Sequence, residues 1–147
     1  MRAIAAAITL ISATAASAEN RIDTIRPDAP GLASYGAHKV GVTTMTFTNP
    51  NQIDIVNTGA EGDIARADRS LTVEIWYPAG ADITPGSTIT AITRDGTTTA
   101  ALAGQAARDG AVDSSQTYPL VILSHGYPGN RHLMAPLGEN IASKGYV

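Results

Sequence analysis

Residues 118–131 decide the fold of this 147-residue chain, and they read Tyr118-Pro119-Leu120-Val121-Ile122-Leu123-Ser124-His125-Gly126-Tyr127-Pro128-Gly129-Asn130-Arg131. The run Leu120–Leu123 is unbroken and apolar, which is typical of a strand covered on both faces in a parallel sheet. The Gly- and Pro-bearing residues after it predict a loop. This stretch therefore predicts a buried parallel strand that ends in a loop at His125-Gly126.

A helix is predicted after the loop, over Pro136–Lys144. Leu137 and Ile141 stand at helical spacing, Pro136 suits the first turn, and Gly145 stands at the C′ position, where glycine commonly ends a helix. Tyr146-Val147 then begins what the pattern indicates to be another strand. The order strand, loop, helix, strand is half of a doubly wound α/β sheet, and we expect the chain to stop within a larger domain.

The residues before this unit favour antiparallel β-structure. A strand from His38 to Thr48 is followed by turn residues at Asn49-Pro50-Asn51, and a second, half-buried strand spans Ser70–Pro78. We expect the two strands to pair antiparallel, with Trp76 packed on the sheet. Asp95-Gly96 predicts a tight hairpin turn between Thr88–Thr93 and Thr97–Ala101.

The N-terminus has the pattern of a secretory signal peptide over residues 1–18. Arg2 is followed by the apolar run Ala3–Ala13 and by Ala16-Ser17-Ala18, an A-x-A cleavage site. The run is too short for a stable membrane span, and the alternative is a buried N-terminal helix. We expect export to the periplasm or the medium, an extended leader over residues 19–37, and the globular part over residues 38–147.

Composition excludes several function classes. The chain has 10 Lys and Arg against 13 Asp and Glu, a net charge of −3, which argues against nucleic-acid binding. It has no cysteine, so disulfides, thiolate nucleophiles and Cys-ligated zinc are excluded. Neither a Walker A sequence nor G-x-G-x-x-G occurs. His125 and His132 lack a third ligand at metal-site spacing, and we expect no metal and no cofactor.

The strongest indication of function in the loop after Leu123 comes from its backbone groups. Gly126 allows a substrate oxygen to approach closely, and the N–H after it, that of Tyr127, can donate to an oxyanion. His125 is either a general base or a residue that orients the loop by hydrogen bonding, and the second is favoured. Gly126 and Gly129 alternatively do no more than form a turn. Arg131 reads as a solvated residue at the entry of the helix.

Four segments together resemble the α/β-hydrolase superfamily, specifically bacterial dienelactone-hydrolase-like and platelet-activating-factor-acetylhydrolase-like proteins. They occur in the family's order and are Val40–Val42, Leu71–Ala79, Tyr118–Arg131 and Leu137–Val147. The resemblance implies the N-terminal part of an α/β-hydrolase sheet, with antiparallel strands followed by strand, oxyanion loop, helix and strand. It also implies an ester hydrolase acting on a small ester or lipid-like substrate.

The resemblance assigns roles to few residues of this chain. Tyr127 is implied as the first oxyanion-hole donor through its backbone N–H, supported by His125, Gly126 and Gly129. In the family, the nucleophilic Ser lies in a G-x-S-x-G elbow after a later strand, followed by Asp and His. No G-x-S-x-G occurs here, and Ser124 lies at a strand end without elbow geometry. We therefore expect an inactive N-terminal fragment of an exported serine ester hydrolase, with its triad beyond Val147.

A second hypothesis is a non-enzymatic, exported, β-rich binding or adhesion module. The Thr-rich strands and the acidic loops between them favour it. This hypothesis does not explain the C-terminal unit, because a β-sandwich does not contain an apolar strand followed by His-Gly, a helix and a new strand. The two hypotheses differ over residues 118–147.

Overall fold

The computed structural model describes residues 20–59, 62–86 and 88–147, so the predicted signal peptide lies outside the described residues. The elements, in chain order, are β1 (Asn20–Arg21), β2 (Lys39–Ile53), β3 (Arg66–Ala79), β4 (Thr88–Ile92), β5 (Thr99–Ala103), β6 (Ala107–Arg108) and α1 (Ala135–Ser143). A 3-10 turn at Gly31–Ala33 precedes β2. The strands form two three-stranded sheets, in the orders β1-β5-β4 and β3-β2-β6.

Strands β2 and β3 pair antiparallel over their whole length, which confirms the predicted pair. The turn expected at Asn49–Asn51 was wrong, because β2 continues to Ile53. A register shift between Asn49 and Gln52 accommodates these residues as a bulge, and Asn51 takes a positive φ of 56°. The Asn51 N–H donates to the Asp68 carboxylate at 3.0 Å, so the turn-forming residues are satisfied inside the hairpin.

One end of this hairpin is buried, and the other end is largely exposed. Val42 lies opposite Trp76 in the register, and both are buried with Val40 in the core. Further out, the pair Phe47 and Leu71 is about half exposed. The core therefore lies at the end of the hairpin where helix α1 packs, and its buried members are Val40, Val42, Trp76, Ile89, Ala106, Ala135 and Ala142.

The second hairpin, β4–β5, is confirmed as antiparallel. Asp95 organises its turn, since its carboxylate accepts the backbone N–H of Thr97 at 2.9 Å and of Thr98 at 2.8 Å. Gly96 takes a positive φ of 75°, as a tight turn requires. Strand β1 extends this sheet by pairing parallel with β5.

Helix α1 confirms the predicted helix to within one residue at each end. Gly145 has φ 91° directly after the C-cap residue Lys144, as expected of a C′ glycine. The helix also anchors the segment before β2: the Gly36 N–H donates to Ser143 Oγ at 2.8 Å, and Asn140 Nδ2 donates to the Ala33 carbonyl at 2.8 Å. In the described part of the chain, no helix has the length and apolar character needed to cross a bilayer.

The expected buried strand at Leu120–Leu123 is not formed among the described residues. The segment is irregular, and Leu120 and Ile122 are 69% and 82% exposed. In the part of the chain that the structure describes, the backbone of residues 119–123 bonds only to Val147, whose N–H donates to the Pro119 carbonyl at 2.9 Å and whose carbonyl accepts the Val121 N–H at 2.7 Å. These two bonds have the pattern of a parallel pair, but no described element covers the apolar side chains. The expectation of burial was therefore wrong for the described structure, because burial depends on neighbours that an apolar run does not itself provide.

Candidate functional site

The loop from Ser124 to Asn130, here called the oxyanion loop, is closed by a tight turn. The Gly129 N–H donates to the Gly126 carbonyl at 2.6 Å. A Cβ at Gly129 would lie 2.7 Å from that same oxygen, whereas one at Gly126 would meet nothing within 4 Å. His125 Nδ1 lies 3.2 Å from the Gly126 carbonyl. Of the two glycines, Gly129 is the one that the turn requires for close approach.

Tyr127 lies at the outer side of the oxyanion loop. Its side chain is fully exposed, and the Tyr127–Pro128 peptide bond is cis. Its backbone N–H has no hydrogen-bond acceptor in residues 20–59, 62–86 and 88–147. An exposed backbone N–H without an acceptor is able to donate to the oxygen of a bound molecule.

Asn130 fastens the C-terminal end of the oxyanion loop to strand β4. Its Nδ2 donates to the Ile92 carbonyl at 3.0 Å, while its Oδ1 accepts the His132 N–H at 2.9 Å. The Leu133 N–H donates to the Asn130 carbonyl at 3.0 Å. The residue thus joins the loop, the β4–β5 sheet and the approach to α1, a role that the sequence analysis missed.

A buried carboxylate, Glu74 of β3, gathers three basic side chains next to this end of the loop. Its side chain is fully buried, and one carboxylate oxygen lies 2.6 Å from a guanidinium nitrogen of Arg108. The other oxygen accepts from Thr44 Oγ1 at 2.7 Å. That oxygen also lies 3.8 Å from Arg131 Nε and 3.7 Å from His132 Nε2. We call these five residues the Glu74 cluster.

Electrostatics favour the neutral form of His132. Burial of the imidazole lowers the pKa of His132 below its usual value, and the nearby guanidinium of Arg131 lowers it further. The Glu74 carboxylate opposes this shift. Glu74 therefore faces two permanent cations and one largely neutral ring at neutral pH.

The sequence held one indication of the Glu74 cluster. Glu74 alternates with Val73 and Ile75 and shares its sheet face with Trp76, which is buried. A charged residue on the face of a strand that packs against the core requires buried partners. Those partners come from β2, β6 and residues 131–132, so no local spacing could have identified them.

A second buried carboxylate, Glu139 of α1, lies apart from the oxyanion loop. It accepts the Ala106 N–H and the Tyr35 hydroxyl, the latter at 3.4 Å. Burial raises the pKa of Glu139, and burial together with the Glu139 charge raises the pKa of Tyr35. A Cβ at Gly104 would lie 2.6 Å from a Glu139 oxygen, so the carboxylate fills space beside the backbone. Its role in this structure is to join α1 to the segments before β2 and β6.

The remaining candidates are placed apart. Ser124 is exposed, and its hydroxyl has no hydrogen-bond partner among the described residues. His132 Nε2 faces Glu74, whereas His125 bonds within the loop. Over the ranges that the structure describes, no three His, Cys, Asp or Glu side chains form a group that could hold a metal ion.

Residues 33–147, most of the chain, match the family model of platelet-activating factor acetylhydrolase, isoform II. The chain belongs to this family. The match confirms the relationship to α/β-hydrolase esterases that the motifs predicted. It covers the β-rich half as well as the oxyanion loop and α1 of this acetylhydrolase-family chain.

A solved structure supports the fold of this family member. The chain is similar to a ferulic acid esterase from Streptomyces cinnamoneus, with a TM-score of 0.62 and 23% identity, over 88% of this chain and 35% of that one. The acetylhydrolase-family chain therefore spans about a third of the esterase's length. Comparison with curated proteins finds no match.

Proposed function

We propose that this chain is the N-terminal part of an exported serine ester hydrolase and contributes the first donor of its oxyanion hole. The donor is the backbone N–H of Tyr127, with His125, Gly126 and Gly129 shaping the loop around it. Membership of the acetylhydrolase family supports an ester as the substrate class. The substrate we propose is a small or lipid-like carboxylic ester.

The Tyr127 N–H is the observation that carries this proposal. It lies in a turn closed by Gly126 and Gly129, it has no acceptor among the described residues, and it precedes the helix of a hydrolase-like fold. Main-chain donors in this setting stabilise the negative oxygen that develops during acyl transfer.

The proposed reaction is acyl transfer in two steps. A Ser hydroxyl, deprotonated by His, attacks the ester carbonyl, and the carbonyl oxygen becomes an oxyanion that accepts the Tyr127 N–H. Collapse expels the alcohol, which takes the proton from His, and water then releases the acid by the same route. Nucleophile, base and acid would come from a part of the hydrolase outside these 147 residues, which contain no G-x-S-x-G.

An assay of the chain itself tests the assignment of the nucleophile. We expect the 147-residue protein to show no turnover of p-nitrophenyl acetate that a serine-reactive phosphonate abolishes. Phosphonate-sensitive turnover would overturn the proposal that the nucleophile lies elsewhere. Reading the gene beyond the Val147 codon is the complementary test, and we expect an open frame that reaches a strand and G-x-S-x-G.

Replacing one backbone atom tests the donor. In an active hydrolase that contains residues 19–147, incorporation of the α-hydroxy analogue of tyrosine at position 127 exchanges the N–H for an ester oxygen. We expect kcat to fall about 100-fold or more, as when one oxyanion donor is removed. The matched control is Tyr127→Phe, which keeps the N–H and should retain nearly full kcat. An unchanged kcat in the backbone-ester protein would exclude Tyr127 as the donor.

Export is proposed from the sequence pattern of residues 1–18. Cleavage after Ala18 would start the mature chain at Glu19, with residues 19–37 leading into the hydrolase portion at residues 38–147. Mass spectrometry of the protein secreted by a bacterial host should identify Glu19 as the N-terminal residue. An intact Met1 on cytoplasmic protein would contradict the proposal.

A further inference from the structure

We infer that Glu74 is a positioning residue for the oxyanion loop: its buried carboxylate in β3 attracts the guanidinium of Arg131 toward the sheet, with His132 packed beside it, and so orients the Tyr127 N–H. This inference rests on the proposed function, because it concerns the same loop. It adds a residue distant in sequence that would act on the oxyanion donor through two others.

The burial of Glu74 is the first step of the argument. Its side chain has no exposed surface, and a buried carboxylate is costly unless charged or hydrogen-bonding partners surround it. From the sheet side, Thr44 donates a hydrogen bond to Oε2 at 2.7 Å, and a guanidinium nitrogen of Arg108 forms an ion pair with Oε1 at 2.6 Å. Those two contacts explain how the charge is held, and they do not involve the loop.

The loop side of the carboxylate carries the second step. Arg131 Nε and His132 Nε2 lie 3.8 and 3.7 Å from Glu74 Oε2. The carboxylate therefore attracts the Arg131 guanidinium as one charge attracts another, while the largely neutral His132 ring packs beside it. The Glu74 side chain is fully buried and Arg131 is 39% exposed, so solvent screens this attraction only in part. Loss of the Glu74 charge would remove the anion that lies 2.6 Å from Arg108 and 3.8 Å from Arg131.

The third step of the argument concerns the contacts that hold each end of the oxyanion loop. Before the loop, the backbone of residues 119–123 bonds only to Val147 among the described residues, and Leu120 and Ile122 are exposed. After the loop, Asn130 bonds to β4, and Arg131 and His132 follow immediately beside Glu74. The loop is therefore held mainly from its C-terminal end, and Glu74 provides the electrostatic part of that hold.

Glu74→Gln is the decisive variant, because it keeps the size of the side chain and removes its charge. Nuclear magnetic resonance on the full 147-residue chain measures the residual dipolar coupling of the Tyr127 N–H and the exchange of amide hydrogens over residues 125–133. We expect the coupling to shrink and the amides to exchange about tenfold faster or more, while the β2–β3 amides keep their protection. Glu74→Asp, which restores the charge, should recover part of both effects.

The matched control is Glu139→Gln, which neutralises another fully buried carboxylate that does not contact the loop. It should leave the Tyr127 coupling and the exchange of residues 125–133 unchanged. If Glu74→Gln leaves both readouts unchanged, or if Glu139→Gln alters them equally, the inference is wrong.

Arg131→Gln provides a second route in case Glu74→Gln does not fold. Arg131 is 39% exposed, and after its replacement Arg108 still pairs with the buried Glu74 carboxylate, so the protein should fold. The Tyr127 N–H should loosen in the same direction. An unchanged coupling in folded Arg131→Gln overturns the inference. None of these readouts needs turnover, so a loop that responds to Glu74 while backbone substitution at Tyr127 leaves kcat unchanged would reject the proposed function alone.

Discussion

Gly138 of helix α1 faces the indole ring of Trp76 in β3 so closely that a Cβ at Gly138 would lie 2.6 Å from Cε3 of the ring. Helix and sheet therefore meet at a distance that only glycine permits. This contact places α1 on the buried half of the β2–β3 hairpin and sets the position of the chain that enters the helix from the oxyanion loop.

Gly138→Ala should destabilise the protein although alanine is the better helix former. The gain in helix propensity is about 1 kcal/mol, and forcing a methyl group into the indole contact costs about 1–3 kcal/mol. Urea unfolding followed by fluorescence measures the net change, since Trp76 is the single tryptophan. Leu137→Ala, at a partly exposed position of the same helix, is the control and should shift the midpoint less. A stabilised Gly138→Ala variant would contradict the close contact.

Gly129→Ala should open the turn of the oxyanion loop. Its Cβ would lie 2.7 Å from both the Gly126 carbonyl oxygen and Leu133 Cδ2, so we expect a loss of about 1–3 kcal/mol. Gly126→Ala is the matched control, because its Cβ meets open space and should change the free energy of unfolding by less than about 0.5 kcal/mol. Equal losses for both variants would show that the turn is not closed as described.

Asn130→Ala should detach the oxyanion loop from β4. It removes the bond to the Ile92 carbonyl and the acceptor for the His132 N–H, with an expected loss of about 1–2 kcal/mol. Asn130→Asp keeps the acceptor and loses the donor, so the His132 amide should stay more protected from exchange than in Asn130→Ala. Identical exchange of that amide in the two variants would argue against the Oδ1 bond.

Arg131→Gln should raise the pKa of His132, because the guanidinium of Arg131 is one of the causes that hold it down. Since the folded pKa lies below the usual value of 6.5, the folded state binds fewer protons than the unfolded state in that range. This contribution to stability is present above pH 6.5 and is lost as the pH falls through the folded pKa. A titration of the His132 Cε1 proton checks the shift, with the exposed Arg26→Gln as control. A fall of the His132 pKa would contradict the assigned geometry.

Glu139→Gln should also change the pH dependence of stability, here through a pKa that is raised and not lowered. Burial raises the folded pKa of Glu139 above its usual 4.5, so the folded state holds its proton longer than the unfolded state. Stability from this group is present below pH 4.5 and decreases as the pH rises through the folded pKa. As the pH rises across that interval, the free energy of unfolding of Glu139→Gln should therefore increase relative to that of the parent protein. Urea unfolding at a series of pH values measures the difference. Parallel stability curves would show that the Glu139 pKa is not raised.

Elements with a local physical cause were predictable from the sequence. The β4–β5 turn follows from Asp95-Gly96, because the carboxylate and the positive φ both act within four residues. Helix α1 follows from the spacing of Leu137 and Ile141 and from Gly145 at C′. The asparagines near Pro50 were misleading, since the pairing with β3 absorbed them as a bulge instead of a turn.

The candidate site also contains residues that the sequence could identify and residues that it could not. The residues of the oxyanion loop could be named from sequence because Gly129, like the N–H of Tyr127, acts through the backbone of a short turn. Glu74 could not be connected to that loop, since its partners come from β2, β6 and residues 131–132, which only folding brings together. The apolar run Leu120–Leu123 was predicted to be buried and is largely exposed. Its sequence is apolar, but burial requires other elements to pack on it, and the described elements do not cover it.

By itself, then, the sequence determined the strands of the β2–β3 and β4–β5 hairpins, helix α1 and the loop that carries the proposed donor, because these depend on short-range periodicity and turn chemistry. The family followed from the resemblance of four segments. Tertiary structure alone decided how that loop is held. A fully buried carboxylate attracts cations through space, wherever along the chain they occur, and folding places Arg131 of the approach to α1 within 3.8 Å of Glu74 of β3.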